Sequence, residues 1–147
     1  MTTPQLLEAL RADEGLRLRA YPDPLTHGPP WTIGYGHTGP DVRPDSNWTE
    51  EAADAALAAD VAEACRGLDA QLPWWRTLSG PRQDVLANMA FNLGVAKLLE
   101  FHETLGLIEA GAFDRAADHM LASAWARQVG ARATRLASQM RTGVGPT

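Results

Sequence analysis

Residues 13–39 read DEGLRLRAYPDPLTHGPPWTIGYGHTG. Glu14 stands nine positions before Asp23, and Thr32 stands nine positions after it. One carboxyl group can give a proton, a second can hold a water, and a hydroxyl can share the proton of that water. Such a set suits hydrolysis of a glycosidic bond. Tyr21, Trp31 and Tyr35 lie close by and offer apolar cover or a face for a sugar ring. Each residue also has an ordinary explanation. Glu14 suits an exposed helix end, and Asp23, set between Pro22 and Pro24, suits a turn aspartate that caps backbone N–H groups. Thr32 is a common strand residue.

Several elements must position these side chains. Thr3-Pro4 is a helix start, with a hydroxyl cap and then a proline in the first turn. Leu6, Leu7 and Leu10 follow at helical spacing, and Gly15 should end the helix with Glu14 on its last turn. Residues 16–21 and 31–35 have strand composition. The proline-rich stretch between them must be loop. Residues 36–44 continue as loop, with room for a third short strand. Thr49 should cap a second helix that runs to about Ala70, with Glu50 and Glu51 at its positive end. Leu57, Val61, Cys65 and Leu68 mark its apolar face. At about 1.5 Å per residue that helix would span about 30 Å. Downstream, Ser79-Gly80-Pro81 should open a helix that Gly94 ends, and shorter helices are expected at 97–100, 102–110, 113–122 and 130–141. Residues 143–147 read as a frayed tail.

The 147 residues, 45% of them hydrophobic, fit one domain with a real core and exclude overall disorder. Alanine and leucine are abundant while valine and isoleucine are scarce, which favours helix. The expected class is α+β, mostly α. No apolar run is long enough to cross a membrane, and residues 1–5 do not look like a signal peptide. Cys65 stands alone and reads as a packed core thiol. The net charge of −5 is uneven. Residues 41–70 carry eight acids against two arginines, whereas residues 121–147 carry four arginines and no acid. A basic end favours an anionic polymer, but the chain is too acidic overall for nucleic acid as its main partner.

The remaining candidates are weaker. His37 reads as a structural hydrogen-bonding residue before a catalytic base. His27, His102 and His119 show no ligand spacing, so no metal is expected. The glycines at 34, 36 and 39 have no following Lys-Ser/Thr and do not form a nucleotide loop. No cofactor is expected. Asn88 and Asn92, one turn apart, suit either sugar contacts or local capping. Of Trp74 and Trp75, at most one should offer a sugar platform while the other packs in the core. Met89, Phe91, Leu93, Leu98, Leu99 and Phe101 read as core.

The sequence also resembles the tailed-phage lysozymes, glycoside hydrolase family 24. The resemblance begins with Glu14-Gly15-x-Arg17-x-x-x-Tyr21-x-Asp23 and Trp31-Thr32-Ile33-Gly34-Tyr35-Gly36-His37. It returns in Asn88-Met89-x-Phe91-Asn92-Leu93-Gly94, Trp125-Ala126-Arg127, Arg132-x-x-Arg135 and Arg141-Thr142-Gly143. The interval from Asp23 to Thr32 is longer than in the best-known members, the extra length lying within 25–30.

This resemblance implies a lysozyme-like fold with a small sheet lobe at about 13–60 and a helical lobe at about 70–143. A long helix would join them, the first helix would pack on the helical lobe, and a cleft would lie between the lobes. It implies Glu14 as general acid, Asp23 and Thr32 as holders of the attacking water, and Arg132 placed against Glu14. Tyr21, Trp31, His37, Asn88 and Asn92 would bind substrate or support the site. The implied activity is cleavage of the N-acetylmuramic acid to N-acetylglucosamine bond of peptidoglycan, with inversion, by a monomeric endolysin. Such a protein would accumulate in the host cytoplasm and reach the wall after a holin opens the membrane. A lytic transglycosylase, a chitin hydrolase and a non-catalytic wall-binding module remain as alternatives.

Overall fold

The first helix forms where its cap and its leucines place it. The Thr3 hydroxyl accepts the Leu6 N–H at 3.0 Å, and α1 runs Pro4–Glu14 with Leu6 and Leu10 buried on one face. Gly15, at φ 70°, ends it. The computed structural model describes residues 3–145. The chain divides into two compact units, Met1–Ala62 and Glu63–Thr147.

In the first unit, β1 (Arg17–Tyr21), β2 (Thr32–Gly34) and β3 (His37–Thr38) form an antiparallel sheet in that order. Tyr21 pairs with Thr32, Thr32 with Thr38, and Ile33 with His37. Trp31 and Tyr35, expected as strand ends, fall just outside β2. The outer edge of β1 is covered by the segment that precedes the next helix. Trp48 N–H donates to Leu18 O at 2.8 Å, Ala20 N–H donates to Ser46 O at 3.1 Å, and Arg19 pairs with Asn47. A covered edge leaves no backbone template for another chain.

Helix α2 runs Glu50–Gln71. Thr49 caps it by accepting the Ala52 N–H at 3.1 Å. Ala53, Leu57, Val61, Ala64, Cys65 and Leu68 are buried along it at steps of three and four residues. The boundary between the two units falls inside this helix. Arg11 donates to Asp54 at 2.9 Å and ties α1 to its first half.

A 3-10 turn, Pro73–Thr77, follows α2 and is absent from the sequence expectations. Its anchor is Asp69, which accepts Trp75 Nε1 at 2.8 Å and Arg76 Nε at 2.8 Å. Those bonds, from Arg76 first and Trp75 second, hold the Asp69 carboxyl below its usual range. Trp75 is buried, and the Arg76 guanidinium lies over its ring at 4.2 Å. The core role expected for one tryptophan of the pair therefore falls to Trp75.

The second unit continues with α3 (Gly80–Leu93), α4 (Val95–Leu98), α5 (His102–Glu109), α6 (Phe113–Ala122), α7 (Ala124–Val129) and α8 (Ala131–Thr142). Every residue from Val85 to Ala90 is buried, so α3 is enclosed over that stretch. Helix α6 packs on α5 and α8, and α8 packs on α3 and α7. α4 begins two residues before its expected start at 97, because Gly94 ends one helix and leads directly into the next. α7 was not anticipated. It has six residues, too few for a periodic pattern, and the Ser123 hydroxyl caps it by accepting the Ala126 N–H at 3.2 Å.

Arg82 closes the far end of α8. Its Nε donates to Met140 O at 2.7 Å and its Nη2 to Arg141 O at 3.0 Å, which puts a cation on the negative helix end. The same guanidinium lies 3.6 Å over the Phe113 ring. Gly143 follows in the left-handed conformation. Of the tail expected at 143–147, Pro146 and Thr147 lie outside the described residues.

Candidate active site

Six of the candidate residues, Glu14, Tyr21, Asp23, Trp31, Thr32 and His37, belong to the first unit. Glu14 lies on the last turn of α1, half-buried. Its carboxylate rests against Gly36 in the turn between β2 and β3. A methyl group added at Gly36 would stand 3.2 Å from Glu14 Oε2 and 3.5 Å from its Cδ. Gly36 also has φ +76°, a conformation that side chains disfavour. Glycine therefore suits the position twice, by the turn conformation and by the room it leaves for the carboxylate. The Gly-Tyr-Gly-His turn was visible in the sequence. Its purpose as a seat for Glu14 was not, because the two are 22 residues apart.

Asp23 is held as a turn aspartate. Its Oδ1 accepts the Leu25 N–H at 2.8 Å and the Thr26 N–H at 3.2 Å. Around it the Asp23 N–H donates to Gly28 O at 3.0 Å, and the His27 N–H donates to Asp23 O at 2.8 Å. The Thr26 hydroxyl donates to Pro29 O at 2.7 Å. The loop is thus tied by its own polar groups, and the ordinary role of Asp23 is realised on one oxygen. Among the described residues Oδ2 has no hydrogen-bond partner. Thr32 pairs with Tyr21 on β1, two residues before Asp23, so the sheet register carries Asp23 and Thr32 to the same end of the hairpin. Tyr21 is half-buried under the Arg17 guanidinium at 4.5 Å. Trp31 is half-buried beside Thr32.

His37 is a clamp. Its Nδ1 meets Asp60 Oδ2 on α2 at 2.7 Å, and its Nε2 meets Asp41 Oδ2 at 3.1 Å. Burial of the ring disfavours its charge. The hydrogen bonds and charges of Asp60 and Asp41 outweigh that and raise its pKa above 6.5. The ring also lies 5.3 Å from that of Trp48, which covers Gly34. Asp60 and Asp41 were not singled out from sequence; Asp60 is 23 residues from His37, and nothing local marks it.

The other three candidates, Asn88, Asn92 and Arg132, belong to the second unit. Asn92 accepts Trp125 Nε1 at 2.9 Å, joining α3 to α7. Asn88 is 1% exposed, and its Oδ1 has no hydrogen-bond partner among the described residues. Arg132 is half-buried on the first turn of α8. The arginine-rich end is less uniform than its sequence suggests. Arg141 Nη2 pairs with Asp118 at 2.7 Å and its Nη1 with Asp114 at 3.6 Å, so its charge is locally balanced. Among the described residues there is no group of three His, Cys, Asp or Glu side chains that could hold a metal. No helix among them is long and apolar enough to cross a membrane.

The chain is similar to several known proteins. The chain is 36% identical to an endolysin of Bacillus phage B103 over 78% of its own length and 42% of that protein. It is 31% identical to the pre-baseplate central spike protein Gp5 of Enterobacteria phage T4, over 94% of this chain and 28% of the spike protein. The chain therefore spans less than half the length of either relative. A Dictyostelium discoideum protein named "Probable T4-type lysozyme 1" is 29% identical over 92% of this chain and 93% of its own length. Residues 11–141, which hold all nine candidate residues, match the phage lysozyme family, and the chain belongs to that family.

Proposed function

We propose that this chain hydrolyses the β-1,4 bond between N-acetylmuramic acid and N-acetylglucosamine in peptidoglycan. The observation that carries this reading is the Glu14 carboxylate seated at Gly36, on the same short hairpin that bears Thr32. In this reading the protonated Glu14 gives its proton to the leaving sugar oxygen. Asp23, fixed through Oδ1, presents Oδ2 to a water that the Thr32 hydroxyl also holds. The water oxygen bonds to the anomeric carbon as the glycosidic bond breaks, and its proton passes to the Asp23 carboxylate. Attack from the face opposite the leaving group inverts the anomeric carbon.

The endolysin relative supports a role in releasing phage from the host, with the protein reaching the wall after the membrane is opened. The spike relative, which matches over 94% of this chain, supports a second setting, wall penetration from a tail structure. Copurification with virions would distinguish the two. The chemistry is tested by Glu14→Gln, which keeps the shape and removes the transferable proton. Wall lysis should fall by about 10² to 10⁴-fold. A variant that retains more than about a tenth of wild-type lysis lies outside that range and would sink the assignment.

A further inference from the structure

A pocket of about 360 Å³ opens in the second unit, lined by Leu72, Trp74, Leu99, His102, Leu105, Gly106 and Glu109. Four features characterise it, and its rim at His102, Gly106 and Glu109 is exposed. Leu72 and Leu105 are buried and give it an apolar floor, with half-buried Trp74 as an aromatic wall. The backbone at Trp74 is held, because its carbonyl accepts the Thr77 hydroxyl at 2.7 Å and its neighbour Trp75 is anchored on Asp69. The side chains of Trp74, His102 and Glu109 make no hydrogen bond or ion pair with any described residue.

The fourth feature is Gly106. It lies in the interior of α5, where glycine is a poor helix former. Its φ is not positive, and a methyl group there would meet nothing within 4 Å. Gly67 in α2 contrasts with it, since a methyl there would stand 2.7 Å from Val95 Cγ2. Packing within the protein accounts for Gly67 and leaves Gly106 unexplained. His102, Leu105, Gly106 and Glu109 share one face of α5 by their spacing of three and four, so the bare position opens onto the pocket.

The lining selects its occupant. A wholly apolar group would bury the indole N–H, the imidazole and the carboxylate without partners. An anion would be repelled by Glu109. A neutral sugar ring meets every requirement. Its C–H face stacks on Trp74, its hydroxyls donate to Glu109 and exchange hydrogen bonds with His102, and an acetamido methyl suits the leucine floor. The volume lies at the small end of the range for ligand sites, about 300–1,000 Å³.

We propose that this pocket binds one N-acetylhexosamine residue of the wall glycan, as a second sugar site on residues that take no part in hydrolysis. The choice of glycan rests on the peptidoglycan reading above. The pocket itself does not depend on turnover. Such a site would hold the enzyme on an insoluble polymer through a second weak contact, where linked contacts multiply.

The test uses two variants. Gly106→Leu fills the pocket with a better helix former whose Cβ meets nothing within 4 Å, and circular dichroism checks that the fold is kept. Glu109→Gln removes the carboxylate and keeps the shape. In the Glu14→Gln background, the Trp74 indole resonance should shift on titration with tri-N-acetylchitotriose and stay fixed in the Gly106→Leu version. With Glu14 intact, both variants should bind insoluble walls roughly threefold to tenfold more weakly. Their rates on a short soluble oligosaccharide should be unchanged. A Trp74 resonance that ignores millimolar sugar, or responds only to free stem peptide, overturns the proposal, as does wall binding unaltered by Gly106→Leu. If the protein failed to lyse walls while Trp74 still answered to the sugar, the hydrolase reading would fall and this site would stand.

Discussion

Replacing Gly36 by alanine separates the seat of Glu14 from the stability of its hairpin. Gly36 has φ +76° and Gly34 has φ +68°, so an alanine at either position carries the same left-handed penalty. That penalty is about 1–2 kcal/mol. With about 2.1 cal/mol/K per residue of unfolding entropy, that penalty alone lowers Tm by about 3–6 °C for either change. The new methyl groups meet different neighbours. At Gly34 the methyl stands 3.0 Å from the Trp48 ring and 3.4 Å from Ala53 Cβ, so that change costs further stability but does not touch Glu14. At Gly36 it stands 3.2 Å from Glu14 Oε2, which is too close, and the carboxylate must yield by a few tenths of an ångström. A misplacement of about 1 Å can cost about 100-fold in rate, so this one should cost roughly threefold to tenfold. The assay is wall lysis per folded molecule, with folded fraction from circular dichroism and Gly34→Ala as the control. Gly36→Ala should lose rate while Gly34→Ala keeps it. Equal specific activities, or equal losses, would refute the claim that this turn positions the acid.

The remaining predictions concern the two polar contacts that hold the candidate residues in place. His37 has a raised pKa in the folded chain, so the stability it supplies is complete below about 6.5 and is lost as pH rises through its folded value. His37→Asn should therefore cost about 1.5–3 kcal/mol at pH 5.5, in the range for hydrogen bonds to charged groups, and distinctly less at high pH. Urea unfolding at both pH values checks this, and an equal cost at the two would count against the clamp. Asn92→Ala leaves the Trp125 indole N–H without its 2.9 Å partner. It should lower stability by about 1–2 kcal/mol with KM for a soluble oligosaccharide unchanged. A raised KM at unchanged Tm would instead make Asn92 a sugar ligand.

What could be read from sequence follows the range of the interaction. Thr3, Pro4 and Gly15 act on their immediate neighbours, and they bound α1 where expected. Thr49 and the leucine, valine and cysteine spacing of α2 did the same for the long helix. The 3-10 turn depends on Asp69 reaching forward to Trp75 and Arg76, and α7 is too short to show a period. Both were missed for that reason. In the candidate site, the residue types of Glu14, Asp23 and Thr32 were legible, and so was the turn that follows. The local capping by Asp23 was legible too, but the reason for Gly36 and the Asp60 partner of His37 were not. These are contacts made by the folded hairpin rather than by adjacent residues.

The central claim is that a water held by Asp23 and Thr32 attacks opposite Glu14, and the product itself carries the answer. NMR of peptidoglycan fragments, recorded on fresh wild-type digest before mutarotation, reads the configuration of the new muramic acid end. The account predicts a reducing N-acetylmuramic acid end in the α configuration, inverted from the β linkage of the substrate. A β end would mean a covalent intermediate, and a 1,6-anhydro end would mean that no water takes part; either contradicts the account.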